Sequence, residues 1–466
     1  MAQPALQIIV MAAGQGKRMH SALPKVLHPL AGRPLAGHVL AAARGLSPQA
    51  LCVVVGHGGD AVRAALAAPD LAFVTQDPPR GTGDAVRVAL AALAALPGDG
   101  VTLVANADCP LIPAATFAAI AALAGDGRLA LLTARVADPT GLGRIVRDGA
   151  GGVRAIVEER DANDDERRID EIYTGVLAAP TALLRRWVAA LKDDNSQREF
   201  YLTDIVAMAV GDGVRVAPCM AAAEEDILGV NDRAQLAAIE RIVQRRQAAA
   251  LLVAGTWIAD PARFDQRGTL ACGRDVRIDV GCVFEGDVRL GDDVVVGAHC
   301  VLKDVDVGAG TAIAPFSHLD GARIGARCRI GPYARLRPKA ALADDVHIGN
   351  FVEVKASDLG PGAKANHLAY IGDATVGGGV NVGAGTITAN YDGVNKHRTV
   401  IGDDARIGSN CVLVAPVTVG RGATIGAGSV ISKDAPPDAL TVSRARQVTV
   451  AGWKRPVRKA PPRSDS

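Results

Sequence analysis

Aromatic residues make up only 3% of this 466-residue chain, which leaves few platforms on which nucleic-acid bases could stack. An excess of charge of one sign is also missing. Fifty-one Lys and Arg against 49 Asp and Glu give a net charge of +2, which is no electrostatic footprint for nucleic acid. Among the eight cysteines there is no C-x-x-C pair, so neither a zinc site nor a disulfide framework is signalled, and buried reduced thiols are expected. No stretch approaches the ~20 apolar residues of a membrane span. The opening MAQPALQ carries no basic segment, and the apolar run Ile8 to Ala13 behind it is too short for an export signal. These absences predict a cytoplasmic chain with no nucleic-acid partner and no membrane insertion. The 49% hydrophobic and 21% charged composition is that of a globular protein, and the length calls for two or three domains.

Up to about residue 230, short apolar runs alternate with alanine-rich helical stretches. Strands are expected over Leu6–Val10, Leu51–Val55, Val101–Ala105 and Leu129–Val136, with helices over Ala36–Arg44, Ala61–Ala68, Thr82–Leu96 and Ala114–Leu123. Strands apolar on both faces and separated by helices predict a mainly parallel α/β sheet, whose ligands lie beyond the carboxyl ends of its strands. The first strand runs into IIVMAAGQGKRMHSALPKVL, residues 8 to 27. This glycine-rich turn is not a dinucleotide fingerprint, because Met19 stands where the third glycine belongs. It is not a P-loop either, because Gly16-Lys17 is followed by Arg18. What remains is a loop with Lys17, Arg18 and Lys25 around it, suited in charge to a polyphosphate. From Asn231 to Val253 charged and apolar residues recur at helical spacing and predict one long connecting helix.

Beyond this helix the sequence repeats with a period of six. Ile278, Phe284, Leu290, Val296 and Leu302 are in phase, as are Ile324, Ile330, Leu336, Leu342, Ile348 and Val354, and then Ile401, Ile407, Leu413, Val419, Ile425 and Ile431. Hexapeptide periodicity is the signature of a parallel β-helix, in which each face buries a column of apolar side chains. The phase breaks between Val354 and Ile371 and again between Val382 and Ile401. Lys355, Lys364, His367, Tyr370, Asn390 and Tyr391 fall in or beside the breaks. In solenoids such breaks are read as loops on the binding side, although a polar loop or a capping histidine would give the same pattern.

The motifs AAGQGKRM, LPKVLHPLAG, QDPPRGTGDA, ADCPL, DPTGLGRI, YLTDI and GVNDR, followed by RLRP, GNFVEVK, KANHLAYIGDA, NVGAGTITANYDG and GAGSVISKD, occur in order along the chain. Together they resemble, over essentially the whole length, a bacterial family in which an N-acetylglucosamine-1-phosphate uridyltransferase is fused to a glucosamine-1-phosphate acetyltransferase. The resemblance implies a Rossmann-like nucleotidyltransferase domain (1–230), a linker helix (231–253), a left-handed parallel β-helix (254–437) that forms a homotrimer, and a basic tail (438–466). In the first domain Arg18 and Lys25 match the catalytic cations. Met11, Ala12, Ala13, Gly14, Asn106 and Ala107 match nucleotide-sugar contacts; Gln76, Gly81 and Thr82 match positions that read uracil. Gly143, Glu158 and Tyr173 match sugar contacts, and Asp108 and Asn231 match ligands of Mg2+. In the second, His367 matches the general base. Arg337, Lys355, Tyr370 and Asn381 match the sugar-phosphate holders. Ala384, Asn390, Tyr391, Ser409, Ala427 and Arg444 match contacts to acetyl-CoA, with Asn390 and Tyr391 expected on the thioester carbonyl. UTP and acetyl-CoA are the implied co-substrates.

The chain departs from the family pattern in its first half. Asn106-Ala107-Asp108 stands for Tyr-Gly-Asp, and Tyr173 replaces an asparagine of Glu-Ile-Asn-Thr-Gly. Lys17 stands where threonine is common. An added methyl at Ala107 is expected to shift the backbone near the metal, and the bulk or hydroxyl of Tyr173 to alter the sugar pocket. Three alternatives follow: an acetyltransferase with an impaired or re-specified first domain, a sugar nucleotidyltransferase whose β-helix only regulates, and an assembly module with no catalysis.

Overall fold

The computed structural model describes residues 5–14, 16–93 and 100–456, and the chain forms two compact units. The first runs to Ala254 and takes in Asp260–Thr269 and Phe284–Gly286; the second comprises Gly255–Ala259, Leu270–Val283 and the chain from Asp287. Residues 94–96 of the expected third helix and 457–466 of the expected tail lie outside the described residues.

The first unit is built on strands β1 (Leu6–Ala12), β2 (Ala50–Val55), β3 (Leu71–Thr75), β4 (Val101–Asn106), β5 (Leu129–Arg135), β6 (Gly143–Arg147), β7 (Val153–Val157), β8 (Glu171–Pro180) and β9 (Val216–Met220). The main sheet has the order β9-β5-β8-β4-β1-β2-β3, with β6 on β8 and β7 on β6. β1 lies parallel to β2 and β4, so the runs Ile8–Val10 and Cys52–Val55 are buried on both faces, as their unbroken apolar character requires. β8 is antiparallel to both β4 and β5. Its register slips between Tyr173 and Leu177, where Gly175 has φ +85°. Helices α1 (Leu35–Arg44), α2 (Gly59–Leu66), α3 (Thr82–Ala92) and α4 (Ala114–Gly125) join the parallel strands. Helix α5 (Arg233–Val253) starts two residues later than the sequence pattern, because the Asp232 side chain accepts from the Gln235 N–H and caps it.

In the second unit the hexapeptide positions stack into three columns. Ile278, Val296, Ile313, Ile330 and Ile348 pair coil to coil. So do Leu290, Val307, Ile324 and Leu342, and likewise Leu302, Leu319, Leu336 and Val354. All are at most 5% exposed, and each buried Leu or Ile contributes on the order of 1.5–3 kcal/mol. The architecture is the left-handed parallel β-helix of hexapeptide repeats. The first apparent break is not an insertion. Leu359 and Ala365 continue the columns from Leu342 and Ile348, so Lys355 to Tyr370 is a regular coil. The period was hidden by a five-residue step from Val354 to Leu359 and by a small Ala365 at a column position. The second break is real: Thr388 pairs with Leu413 and Val376 with Ile401, leaving thirteen residues from Thr388 to Ile401 where a face needs six. The excess forms the only long excursion among the described coils, and it carries Asn390 and Tyr391.

Candidate functional site

In the first unit a cavity of about 570 Å3 opens at the carboxyl ends of β1 and β4, lined by Met11, Arg18, Thr82, Asn106, Asp108, Gly143, Glu158, Tyr173 and Asn231 among others. The glycine-rich turn folds against Lys25. Gly16 has φ +59°, and a Cβ there would meet Lys25 Cβ at 2.6 Å, so only glycine fits. A Cβ at Gly14 would meet nothing within 4 Å among the described residues, so their packing places no demand on that position. Lys25 Nζ sits 2.5 Å from Asp108 Oδ2 and 3.3 Å from Asn231 Oδ1, which brings three expected residues from distant parts of the sequence to one point. Asp108 and Asn231 therefore present oxygens to a shared cation position. Cys109, next along, points its thiol at the other Asp108 oxygen, 3.6 Å away.

Gln76 is buried, and its amide nitrogen is 3.0 Å from both Gly81 O and Asp84 Oδ2, which fixes the side chain at the start of α3. Gly81 (φ +104°) lies against the backbone of Phe200, where a Cβ would come within 2.7 Å of the Phe200 oxygen. At the far wall Glu158 accepts a hydrogen bond from Thr203 Oγ1 at 3.1 Å, and burial pushes its carboxyl pKa up. Gly143 faces Glu158: a Cβ there would lie 3.6 Å from Glu158 Oε2 and, more tightly, 3.0 Å from an Ile156 methyl. Tyr173 is 9% exposed, and its hydroxyl has no hydrogen-bond partner among the described residues. Burial first, then the Glu158 charge, push its phenol pKa up, so the group stays a neutral donor. The Asn106 amide lies over Gly175, where any side chain would collide with it. The Ala107 methyl is not among the side chains that line the cavity. It is fully buried in the core between sheet and helices, and its N–H donates to Met11 O at 3.0 Å.

In the second unit His367 Nδ1 is 2.8 Å from Asn350 Oδ1, one coil away. An amide oxygen only accepts, so Nδ1 carries the hydrogen, and in the neutral ring the lone pair is then on Nε2. Sequence reasoning missed Asn350, because its relation to His367 exists only through the stacking of coils. Lys355 Nζ binds both oxygens of Asp373 at 2.9 and 3.1 Å, and Arg337 binds Glu353 at 2.9 Å. Lys396, also missed, lies in the long excursion and meets Lys355, whose side-chain hydrogen bond first and charge second push the pKa of Lys396 down. Asn390 Nδ2 donates to Asp373 and Tyr391 donates to Gly393 O at 2.5 Å, so the donors expected on a thioester carbonyl are engaged within the chain. Ala384, Ser409 and Ala427 fall in one column with His367, two residues beyond the paired Ala365, Val382, Ile407 and Ile425. Arg444 closes its end by donating to Ala427 O at 3.0 Å. Asn381 lies in the strand that pairs with Lys364.

The sequence model of the MobA-like NTP transferase domain matches residues 8–208, that of the bacterial transferase hexapeptide (six repeats) matches 398–433, and that of the GMPPB C-terminal domain matches 267–364. Fold and sites thus define a nucleotidyltransferase joined to a hexapeptide-repeat transferase. The "Bifunctional protein GlmU" of Methylibium petroleiphilum is 60% identical over 461 residues, covering 97% of this chain and 100% of the relative. Those of Azoarcus sp. and Aromatoleum aromaticum are 57% and 58% identical over 454 residues, covering 97% of this chain and 100% and 99% of theirs. The chain belongs to the bifunctional GlmU family.

Proposed function

We propose the following division of labour within this bifunctional enzyme, a glucosamine-1-phosphate N-acetyltransferase and UDP-N-acetylglucosamine diphosphorylase. The reading is carried by near-full-length identity to the GlmU relatives, and it is supported by the convergence of Lys25, Asp108 and Asn231 in one unit and the His367 column in the other. An acetyltransferase with a spent first domain is disfavoured, because the departures Asn106 and Tyr173 line a cavity that keeps Lys25, Asp108, Glu158 and Asn231 in place.

In the β-helix, Arg337, Lys355 and Lys396 hold the phosphate of glucosamine-1-phosphate, with Tyr370 and Asn381 along the sugar. His367 Nε2 takes a proton from the ammonium, and the freed amine attacks the thioester carbonyl carbon of acetyl-CoA. The C–S bond breaks and coenzyme A leaves as the thiol. The column Ala384, Ser409, Ala427 is a strip of small side chains on successive coils ~4.8 Å apart, a straight bed for an extended acyl carrier. Asn390 and Tyr391 turn toward the carbonyl once their internal bonds are released.

In the first unit Gln76, Gly81 and Thr82 read the uracil of UTP, and the 11–14 backbone follows its phosphates. Gly143, Glu158 and Tyr173 hold N-acetylglucosamine-1-phosphate, whose phosphate oxygen attacks the α-phosphorus in line as pyrophosphate departs. Arg18 and Lys25 neutralise charge on the reacting phosphates. Asp108 and Asn231, hard oxygens already sharing one cation position with Lys25, fit Mg2+ completed by phosphate oxygens and water. Bound there, Mg2+ supplies charge neutralisation for the triphosphate. The protein works as a homotrimer in the cytoplasm. An exposed stack on consecutive coils, Phe316, Tyr333 and Phe351 with ring centroids 5.1 and 5.3 Å apart, supports assembly, and six buried thiols among the eight free cysteines support a reducing compartment.

Incubation with glucosamine-1-phosphate, acetyl-CoA, UTP and magnesium, followed by mass spectrometry, tests the proposal. UDP-N-acetylglucosamine is expected; N-acetylglucosamine-1-phosphate as the end product would restrict the activity to the β-helix.

A further inference from the structure

The segment Phe200–Thr203, inside the YLTDI motif and the residue before it, is tied at one end to the nucleotide side of the cavity and at the other to the sugar side. The Phe200 N–H donates to Arg80 O and the Phe200 oxygen accepts from the Gly83 N–H, both at 2.8 Å. The Leu202 N–H donates to Thr82 Oγ1 at 3.1 Å. The Arg87 guanidinium, one turn into α3, covers the Phe200 ring at 4.9 Å. One residue further on, the Thr203 hydroxyl donates to Glu158 Oε1 at 3.1 Å. Thr203 is 4% exposed and lines the cavity, as do Thr82 and Glu158. Two backbone–backbone links, one backbone–side-chain link and two side-chain contacts thus join the start of α3, around Gly81 and Thr82, to the carboxylate on the opposite wall within four residues of chain.

We propose that Phe200–Thr203 is a strap coupling the two substrates of uridylyl transfer, and that Thr203 is the positioning residue for Glu158. The inference rests on the roles given above to Gly81, Thr82 and Glu158. A nucleotide seated on Gly81 and Thr82 immobilises the start of α3, and that in turn fixes Leu202, Thr203 and the orientation of the Glu158 carboxylate before the sugar arrives. By linkage, sugar phosphate in the pocket tightens the nucleotide by the same factor. The groups facing Glu158 are Thr203, Tyr173, Asp161 and Asp204. Of these only the Thr203 hydroxyl stabilises the charged carboxylate; burial and the two aspartates oppose it.

Thr203→Val keeps the shape and removes the donor. Sugar-phosphate KM should rise about tenfold, the worth of one hydrogen bond to a charged group, and the KM for UTP at saturating sugar phosphate should rise about fivefold as the coupling is lost, the effect falling on KM and not on kcat. Loss of the donor raises the Glu158 pKa further, so the acid limb of kcat/KM for the sugar should move to higher pH. Thr203→Ser should restore both. Calorimetry adds a readout on the unmutated protein: N-acetylglucosamine-1-phosphate should bind about fivefold tighter with α,β-methylene-UTP present, the low end of ordinary site–site coupling, and this factor should vanish in Thr203→Val. Absence of coupling in the wild type, or a Thr203→Val enzyme with unchanged sugar KM and pH profile, overturns the strap while leaving the activity intact. A wild type that makes no UDP-N-acetylglucosamine overturns the functional reading and the strap with it.

Discussion

Replacing Tyr173 with phenylalanine removes one oxygen and keeps the ring that packs in the core on that side of the sheet. In the wild type this hydroxyl is buried with no partner among the described residues, a cost of about 1–3 kcal/mol to the folded state. Phe carries no such cost, so the ligand-free variant should melt higher. A domain of this size gains roughly 2–4 °C for each kcal/mol. The function should move the other way. If the phenol is held for an acceptor on N-acetylglucosamine-1-phosphate, its loss forfeits a hydrogen bond, and sugar KM should rise about tenfold with the KM for UTP unchanged. Differential scanning fluorimetry without ligand and steady-state uridylyl transfer against each substrate measure the two effects on one preparation. A variant that melts lower and keeps its sugar KM would refute the reasoning, because the hydroxyl would then serve the fold and not the substrate.

Asn350→Ala frees His367 Nδ1 and its tautomer; acetyl transfer should fall by about 10- to 100-fold and His367→Ala by about 100- to 10,000-fold, while uridylyl transfer assayed separately stays unchanged. EDTA should abolish uridylyl transfer and leave thiol release from acetyl-CoA intact, because only the Asp108–Asn231 oxygens are given a metal here. Tyr333→Asp places a charge in the exposed aromatic stack, and sedimentation should then show smaller species than the wild type; an unchanged profile would move the interface elsewhere.

Element types were legible where one periodicity ruled. The buried runs at Ile8, Leu51 and Val101 became sheet strands, and the hexapeptide columns became the β-helix, because in both cases one face or both must exclude water at a fixed spacing. The strands over Leu71–Thr75, Val153–Val157 and Glu171–Pro180 were not legible. The first two are short or only partly buried, and the third lies antiparallel in a sheet read as mainly parallel. The first phase break looked like an insertion because Ala365 is too small to mark a column, although its neighbours hold the register.

The sequence by itself determined residue chemistry and local period: which side chains can carry charge, where apolar side chains recur, and hence two domains of different grammar with their motifs in order. Only the tertiary structure decided which of those residues meet. Lys25, Asp108 and Asn231 are far apart in sequence yet share one cation position, His367 is oriented by an asparagine from the preceding coil, and the Ala107 methyl turns into the core and not the cavity. Such meetings depend on strand order and coil register, which are set by long-range packing and leave no local period for a sequence to display.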